Sequence, residues 1–331
     1  MLKDSSERLN LYEKAKRIFF ERPINYFSLR LYYLIFMGFA GAILIYCFEQ
    51  GNIAFIDTLF CSVSAITGTG LQTVSNLEFS RQSVAIIALL MFFGSIFIFL
   101  IPPMVARQYY NRKVLAEYKD RIDDIDPKII EEHNNLNEAL TASIRVSLVY
   151  MALWHILISL VIYGALFLHP QEPELVQRGY TRYQNSLFMT ISAFANCGFT
   201  ISSSAIFYWS NNPLAYFALS LPILAGNTCI PILFYFTYWS LIKIFDHFRW
   251  NSAPFRYILQ NPSQISSHTL PWESTKFLLY GVLAINTTEY VFFLASSWYG
   301  QDVLGIYGSY AKIAGMGYFE TISTRNAGIQ V

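Results

Sequence analysis

Five long stretches with almost no charge constrain this chain more than any other feature of its sequence. They cover residues 31–48, 83–106, 146–168, 213–242 and 277–298. The only acidic, basic or histidine side chains inside them are His155 and Glu289. A helix needs about 20 apolar residues to cross the hydrocarbon core of a bilayer. Only 14% of the residues are charged, against about 25% in an ordinary soluble domain. The sequence therefore predicts an all-α membrane protein with five spanning helices.

The charge and cysteine patterns argue against several classes of function. The net charge is +1, so no basic surface points to nucleic acid as a partner. The four cysteines form no CxxC pair and no Cys/His cluster, so we expect neither a zinc site nor a disulfide framework, and no cofactor is predicted. A membrane-embedded enzyme needs paired acid–base groups or a metal cluster at depth. Because His155 and Glu289 lie far apart in the sequence, we do not expect an enzyme.

An internal repeat lies between the predicted spans. Residues 52–71 and 184–199 each open with an apolar stretch of about 13 residues, which is too short to cross a membrane but suits a re-entrant helix. The two align without a gap at a separation of 128 positions. A third copy follows the fifth span, where Tyr318-Phe319 precedes Gly328 as Phe60-Cys61 precedes Gly70. Repetition of this kind indicates a unit of helix, re-entrant helix, glycine-centred loop and helix.

The loop after each short helix is typical of a site for a dehydrated monovalent cation. Backbone that is not helical survives at membrane depth only inside protein or beside water, and its carbonyl oxygens can replace the water shell of the ion. The negative end of the preceding helix dipole points at the same place, and glycine allows the carbonyls to turn inward. No loop carries an acidic side chain, so we expect a monovalent cation and no divalent metal. The predicted filter residues are Thr67, Gly68, Thr69 and Gly70, then Asn196, Cys197 and Gly198, then Asn326, Ala327 and Gly328.

These motifs resemble the Trk/Ktr/HKT superfamily of potassium and sodium transporters. SAITGTGL at 64–71, SAFANCGF at 192–199 and STRNAG at 323–328 are similar to its first three filters. GNTCIP at 226–231 is similar to the GNTxxP segment of plant and fungal members. The resemblance implies four helix–pore loop–helix units arranged pseudo-fourfold around one pore. About two and a half units are present, so we expect a fragment that is truncated within the third pore loop.

The repeat and the basic connections together predict six segments. These are an N-terminal arm (1–30), pore unit 1 (31–106), a loop (107–145), pore unit 2 (146–245), a second loop (246–275) and a partial pore unit 3 (276–331). Lysine and arginine are concentrated in the arm and in the two loops, which predicts that these three segments, and hence the N-terminus, are cytoplasmic. The resemblance adds a multi-pass location in the plasma membrane.

Two features inside the spans have two interpretations each. Gly226, Asn227 and Thr228 form either a flexible gate below the second filter or a plain kink in which Asn227 bonds to a neighbouring helix. A carboxylate in mid-span is costly, so Glu289 either takes part in the ion path or bonds inside the helix bundle. The sequence leaves both alternatives open.

The expected function is transmembrane transport of K⁺, Na⁺ or both through a carbonyl-lined filter. The alternative is a pore-loop potassium channel assembled from several chains, which would normally carry TVGYG-like filters. Repeats within one chain favour the transporter. In plant relatives, glycine at the position of Gly70 resembles the potassium-permeable class and serine the sodium-preferring class, so K⁺ is expected to permeate. The resemblance also implies a homodimer as one assembly, embedded in lipid.

Overall fold

The fold is helical wherever the chain is described. The structure, a computed structural model, describes residues 26–76, 78–119, 127–168, 172–201, 212–299 and 309–326, and these ranges contain helices and no strand. Three helices are long and apolar enough to cross a membrane, and the number rises to five if each of two bent helix pairs is one span. The prediction of an all-α membrane protein is therefore confirmed.

The helices follow the order of the predicted units. Unit 1 holds α1 (Tyr26–Glu49), α2 (Phe55–Thr67), α3 (Arg81–Gly94) and α4 (Ile96–Lys119). Unit 2 holds α5 (Pro127–Phe167), α6 (Pro173–Gln177), α7 (Arg182–Phe194), α8 (Pro213–Ala225) and α9 (Ile230–His247). Then come α10 (Ala253–Gln260), α11 (Pro262–Ile265), α12 (Trp272–Tyr299) and α13 (Tyr310–Asn326). The short helices α2 and α7 correspond to the two predicted re-entrant helices, and α13 corresponds to the third; their re-entrant path through a membrane stays a prediction.

Helix α1 packs against both α2 and α3 and holds unit 1 together. A face of small residues on α1 makes this contact. The Ser62 hydroxyl of α2 donates a hydrogen bond of 2.7 Å to the Gly38 carbonyl. At Gly41 an added Cβ would meet Leu90 of α3 at 2.6 Å. Glycines in membrane helices allow this close approach of two backbones. The small residues therefore seat the first re-entrant helix against the first span.

Unit 2 repeats this arrangement with α7 packed against α5 and α8. A capping box starts α7: the Thr181 hydroxyl accepts from the Gln184 amide at 3.2 Å, and the Gln184 side chain accepts from the Thr181 amide at 3.0 Å. These two bonds satisfy amide groups that a helix N-terminus leaves free. In contrast, α2 follows Ala54 and has no side-chain cap.

Successive units contact each other through one recurring pair of elements. The second helix of unit 1, α3, packs against the re-entrant helix α7 of unit 2, and α8 of unit 2 packs against α13. Two buried clusters form the core: one surrounds the re-entrant helices, and the other surrounds the break between α8 and α9. The pseudo-fourfold arrangement stays a prediction, because the described residues hold two pore units and part of a third.

The segments that the sequence assigned to loops contain much helix. Helix α4 continues to Lys119, and α5 begins at Pro127 and runs on into the predicted span. Proline suits the first turn of a helix because its fixed φ is already helical and its missing amide has no partner there. The apolar pattern marks where a span meets water, not where its helix ends. Next to this region, the Arg107 guanidinium donates to the carbonyls of Ser263 and Gln264, which ties α4 to α11.

Candidate ion pathway

The two described filter loops share one backbone pattern. Gly68 and Asn196, which occupy the same repeat position, have φ values of 68° and 54°. Two residues later, Gly70 and Gly198 have φ values of 75° and 90°. Residues with a side chain avoid this left-handed region, apart from asparagine and aspartate, which tolerate it. Sequence reasoning identified the second pair from its glycines. It did not predict the left-handed backbone of Asn196, although its alignment with Gly68 carried that signal.

Each re-entrant helix ends in the same set of backbone hydrogen bonds. In unit 1 the Gly68 amide donates to the Ala65 carbonyl at 3.3 Å, and the Thr69 amide donates to the Ser64 carbonyl at 2.9 Å. In unit 2 the Asn196 amide donates to the Ala193 carbonyl at 3.1 Å, and the Cys197 amide donates to the Ser192 carbonyl at 3.0 Å. This pair of bonds around a left-handed residue is the Schellman motif. It turns the chain sharply at the carbonyl end of each helix dipole.

The two filter loops touch each other. A Cβ added at Gly70 would overlap the Cys197 carbonyl oxygen, and one added at Gly68 would lie 3.3 Å from the Ala195 carbonyl oxygen. Beyond the loops, the buried Asn76 amide donates to the Thr200 carbonyl at 2.7 Å. Gly70 is therefore required twice: once for its positive φ and once because the backbone of the second loop fills the space of a side chain.

The side chains of the two loops differ although their backbones agree. Thr67 and Thr69 are exposed, and their hydroxyls lie 2.7 Å apart. Asn196 and Cys197 are buried. All these groups are neutral, and within the ranges that the structure describes no group of three or more His, Cys, Asp or Glu side chains could hold a metal ion. The polar groups of these loops are backbone amides and carbonyls, the exposed threonine hydroxyls, and the buried side chains of Asn196 and Cys197.

The second helix of each unit breaks at a glycine that lies against the end of the re-entrant helix. In unit 1, α3 ends at Gly94, and a Cβ there would overlap the Ile66 carbonyl oxygen. In unit 2, α8 ends just before Gly226, and a Cβ there would overlap the Phe194 carbonyl oxygen. Ile66 and Phe194 stand at the same repeat position. The bend between the two halves is 45° in unit 1 and 88° in unit 2.

A tyrosine from the first helix of each unit bonds to the carbonyl just before the breaking glycine. The Tyr33 hydroxyl donates to the Phe93 carbonyl at 3.1 Å, and the Tyr150 hydroxyl donates to the Ala225 carbonyl at 2.9 Å. A broken helix leaves such carbonyls without an intrahelical partner. Sequence reasoning missed both tyrosines, because each is one of 23 in the chain and nothing in its neighbourhood marks it.

The predicted gate residues form a compact turn between α8 and α9. Gly226 is buried, Thr228 is half-buried, and the Asn227 side chain is exposed. Within the described part of the chain, the Asn227 side chain makes no hydrogen bond to a neighbouring helix. The bond that the kink interpretation relies on is therefore not found among the described residues, and the gate stays a prediction. Helix α9 restarts at Ile230, with Pro231 in its first turn.

The third filter lies mostly outside the described residues. Asn326 ends α13, but its side chain, Ala327 and Gly328 are not described. Of the ionisable residues in the spans, half-buried His155 packs its ring 4.6 Å from the Phe194 ring, beside the end of α7. Glu289 is half-buried on α12, and its buried Oε2 atom has no hydrogen-bond partner among the described groups. A part for Glu289 in the ion path stays a prediction.

Comparison with known proteins identifies the family. The family model described as "Cation transport protein" (TrkH) matches residues 126–331, which is more than half of the chain. The chain is 26% identical over 293 residues to "Sodium transporter HKT1" of Arabidopsis thaliana, a match that covers 82% of this chain and 56% of the relative. It is also 26% identical over 303 residues to "Cation transporter HKT1;3" of rice (Oryza sativa subsp. japonica), covering 83% and 56%.

A shorter match reaches a fungal protein. "Low-affinity potassium transport protein" of Saccharomyces cerevisiae is 24% identical over 144 residues, which is 44% of this chain and 16% of the relative. The chain spans about half the length of the curated plant relatives that it matches. The predicted resemblance is thereby confirmed, and the chain belongs to the TrkH family of cation transport proteins within the Trk/Ktr/HKT superfamily.

Proposed function

We propose that this protein transports K⁺, Na⁺ or both across a membrane, along a pathway lined by the backbone carbonyls of its glycine-centred loops. The observation that carries the proposal is the contact of Gly70 with the Cys197 carbonyl. It brings two loops of the same backbone pattern together at the carbonyl ends of two re-entrant helices. The names of the relatives, which include sodium, potassium and cation transporters, support a monovalent cation as the substrate.

The electrostatics of this region favour a cation of low charge. Helices α2 and α7 both end at the loops, so the negative ends of two dipoles meet there. The predicted filter side chains that the structure describes are uncharged. Carbonyl oxygens replace the hydration shell of a monovalent ion, whereas a divalent ion is usually held by carboxylates. This arrangement therefore suits K⁺ or Na⁺ better than Ca²⁺ or an anion.

The turn that breaks the second helix of unit 2 is the proposed gate. Gly226, Asn227 and Thr228 connect two helix halves that meet at 88°, and Gly226 lies against the end of the helix that carries the second filter loop. A movement of this turn would change access to the loop without changing the filter itself. Gating and ion preference would then depend on different residues.

The alternative, a channel assembled from several chains, is less well supported. In such a channel each chain contributes one re-entrant helix. Here α3 of unit 1 packs against α7 of unit 2 within the same chain, so neighbouring walls of the pathway come from one polypeptide. A homodimer, a plasma-membrane location and a cytoplasmic N-terminus belong to the proposal as well.

Ion flux in liposomes tests the proposal. The protein, expressed at its full natural length, would be purified and reconstituted, and reversal potentials would be measured in mixed K⁺/Na⁺ solutions. We expect a cation current that is carried by K⁺ and Na⁺ and is insensitive to the anion present. A current carried by chloride or by Ca²⁺, or no current from well-folded protein, would contradict it.

A further inference from the structure

The end of α8 depends on a hydrogen bond from another helix. In an uninterrupted helix the Ala225 carbonyl would accept from the Cys229 amide, four residues later. Here the Cys229 amide donates to the Leu224 carbonyl at 3.0 Å instead. The Ala225 carbonyl accepts from the Tyr150 hydroxyl of α5 at 2.9 Å, in a buried position. Tyr150 thus supplies the bond that the break removes.

The Tyr150 ring packs between unit 1 and the helix that follows the break. It stacks on Phe97 of unit 1 with ring centroids 5.3 Å apart, and it meets Phe234 of α9 edge-on at 5.3 Å. Only 8% of Tyr150 is exposed, so the ring cannot swing away without disturbing this aromatic cluster. One side chain therefore contacts the last residue of α8 through its hydroxyl and the first turns of α9 through its ring.

The same cluster reaches the filter. Phe97 also contacts the Phe194 ring at 5.2 Å, and Phe194 is the last residue of α7, whose carbonyl lies against Gly226. The second filter loop begins at the next residue. Tyr150, the break and the end of the re-entrant helix are consequently parts of one packed group.

We infer that Tyr150 is a positioning residue for the proposed gate: its hydrogen bond to Ala225, together with its ring contact to α9, fixes the turn 226–229 against the end of α7. The inference rests on the proposed function and adds a specific residue to it. Tyr33 makes the corresponding bond to Phe93 in unit 1 at 3.1 Å, where the break is only one residue long. The tyrosine bond is thus a repeated feature, and in unit 2 it acts on a longer turn.

Tyr150→Phe tests this inference because it removes only the hydroxyl and keeps the ring in the cluster. Without the bond the turn is held less firmly, and we expect cation flux to rise about fivefold, the effect of losing one ordinary hydrogen bond. The K⁺/Na⁺ permeability ratio should stay unchanged, because the hydroxyl that is removed bonds to Ala225 and not to a predicted filter residue. A purely structural role would lower flux together with the yield of folded protein.

Tyr238→Phe is the matched control. Tyr238 is fully buried on α9, belongs to the same cluster and loses the 2.9 Å hydrogen bond that joins its hydroxyl to Ser143 Oγ, a residue of α5 and not of the break. We expect its flux to stay near the wild-type value. Equal flux in Tyr150→Phe and wild type, or an equal rise in both variants, would overturn the inference.

Hydrogen exchange gives a readout that does not depend on transport. The amides of Cys229 and Ile230 are hydrogen-bonded within the turn, so they should exchange about fivefold faster in Tyr150→Phe and at the wild-type rate in Tyr238→Phe. Unchanged exchange in Tyr150→Phe would refute the positioning role even if flux changed. Faster exchange in a protein that carries no cation would instead refute the proposed function and leave the positioning of the turn intact.

Discussion

Units 1 and 2 of this protein share a contact between a glycine and a carbonyl, but they differ in the length of the turn beside it. In both, the second helix breaks at a glycine that lies against a carbonyl at the end of the re-entrant helix, and a tyrosine bonds to the carbonyl before the break. In unit 1 only Ser95 separates α3 from α4, whereas in unit 2 the four residues 226–229 separate α8 from α9. The glycine contact is thus shared by units 1 and 2, and of these two only unit 2 has the longer turn. This difference is consistent with the placement of the proposed gate in unit 2.

The largest effect is expected at the shared glycines. Gly94→Ala and Gly226→Ala each place a Cβ on a backbone carbonyl between two packed helices, which cannot yield as a flexible side chain would. Each should lower the free energy of unfolding by about 3 kcal/mol and reduce flux. Thermal unfolding in detergent measures this. Gly164→Ala is the control, since nothing lies within 4 Å of its added Cβ. If only one of the two variants is destabilised, the contact is not a shared feature of the units.

Gly70→Ser should have the next largest effect, and it tests the contact between the two loops. The added side chain would overlap the Cys197 carbonyl, but a loop can shift further than a helix, so we expect a cost of about 2 kcal/mol. The displaced carbonyl should also lower the K⁺/Na⁺ permeability ratio about tenfold, which corresponds to about 1.4 kcal/mol.

Gly68→Ser separates the two causes of this effect. Gly68 also has positive φ, but a Cβ added there would lie 3.3 Å from the nearest carbonyl oxygen. This variant therefore carries the backbone strain without the overlap. Reversal potentials in mixed K⁺/Na⁺ solutions measure both variants. An equal fall in both ratios would mean that strain alone, and not the contact with Cys197, sets the preference.

Shortening the turn of unit 2 would make it resemble unit 1. Deleting Asn227 and Thr228 should weaken the proposed gate and raise flux several-fold, up to about tenfold if the closed state is favoured by about 1.4 kcal/mol. The ion preference should not change, because both filter loops are retained. Flux is measured in liposomes and corrected for the amount of folded protein. Unchanged or abolished flux would favour a structural kink over a gate.

The smallest effect is expected for Asn227→Ala. The Asn227 side chain is exposed, and a substitution at such a position usually changes stability by less than about 0.5 kcal/mol. Thermal unfolding of this variant should match that of wild type. A loss above about 1 kcal/mol would revive the interpretation in which Asn227 bonds to a neighbouring helix.

Several features of the fold and site follow from the sequence because they depend on local energetics. Apolar length distinguishes spans such as α1 from re-entrant helices such as α2, since the cost of backbone in lipid depends on segment length. Gly70 and Gly198 stand out because few residues accept a positive φ. The repeat, whose copies are separated by 128 positions, also predicted that the two loops occupy equivalent positions in their units. The assignment to the family required only the order of these motifs.

Other features were decided by tertiary structure alone. Whether Gly70 meets Cys197, Gly226 meets Phe194, or Tyr150 meets Ala225 depends on how helices distant in the chain pack together. In the sequence, nothing distinguishes Tyr150 from the other aromatic residues of the spans. Its role depends on the Ala225 carbonyl that the break leaves beside it. The helix ends at Lys119 and Pro127 likewise lie beyond the apolar pattern. The sequence by itself determined which segments are apolar enough to span a membrane and where the backbone can turn, because hydropathy and φ preferences are local. Which carbonyls, glycines and tyrosines meet is a property of packing, and packing exists only in the folded chain.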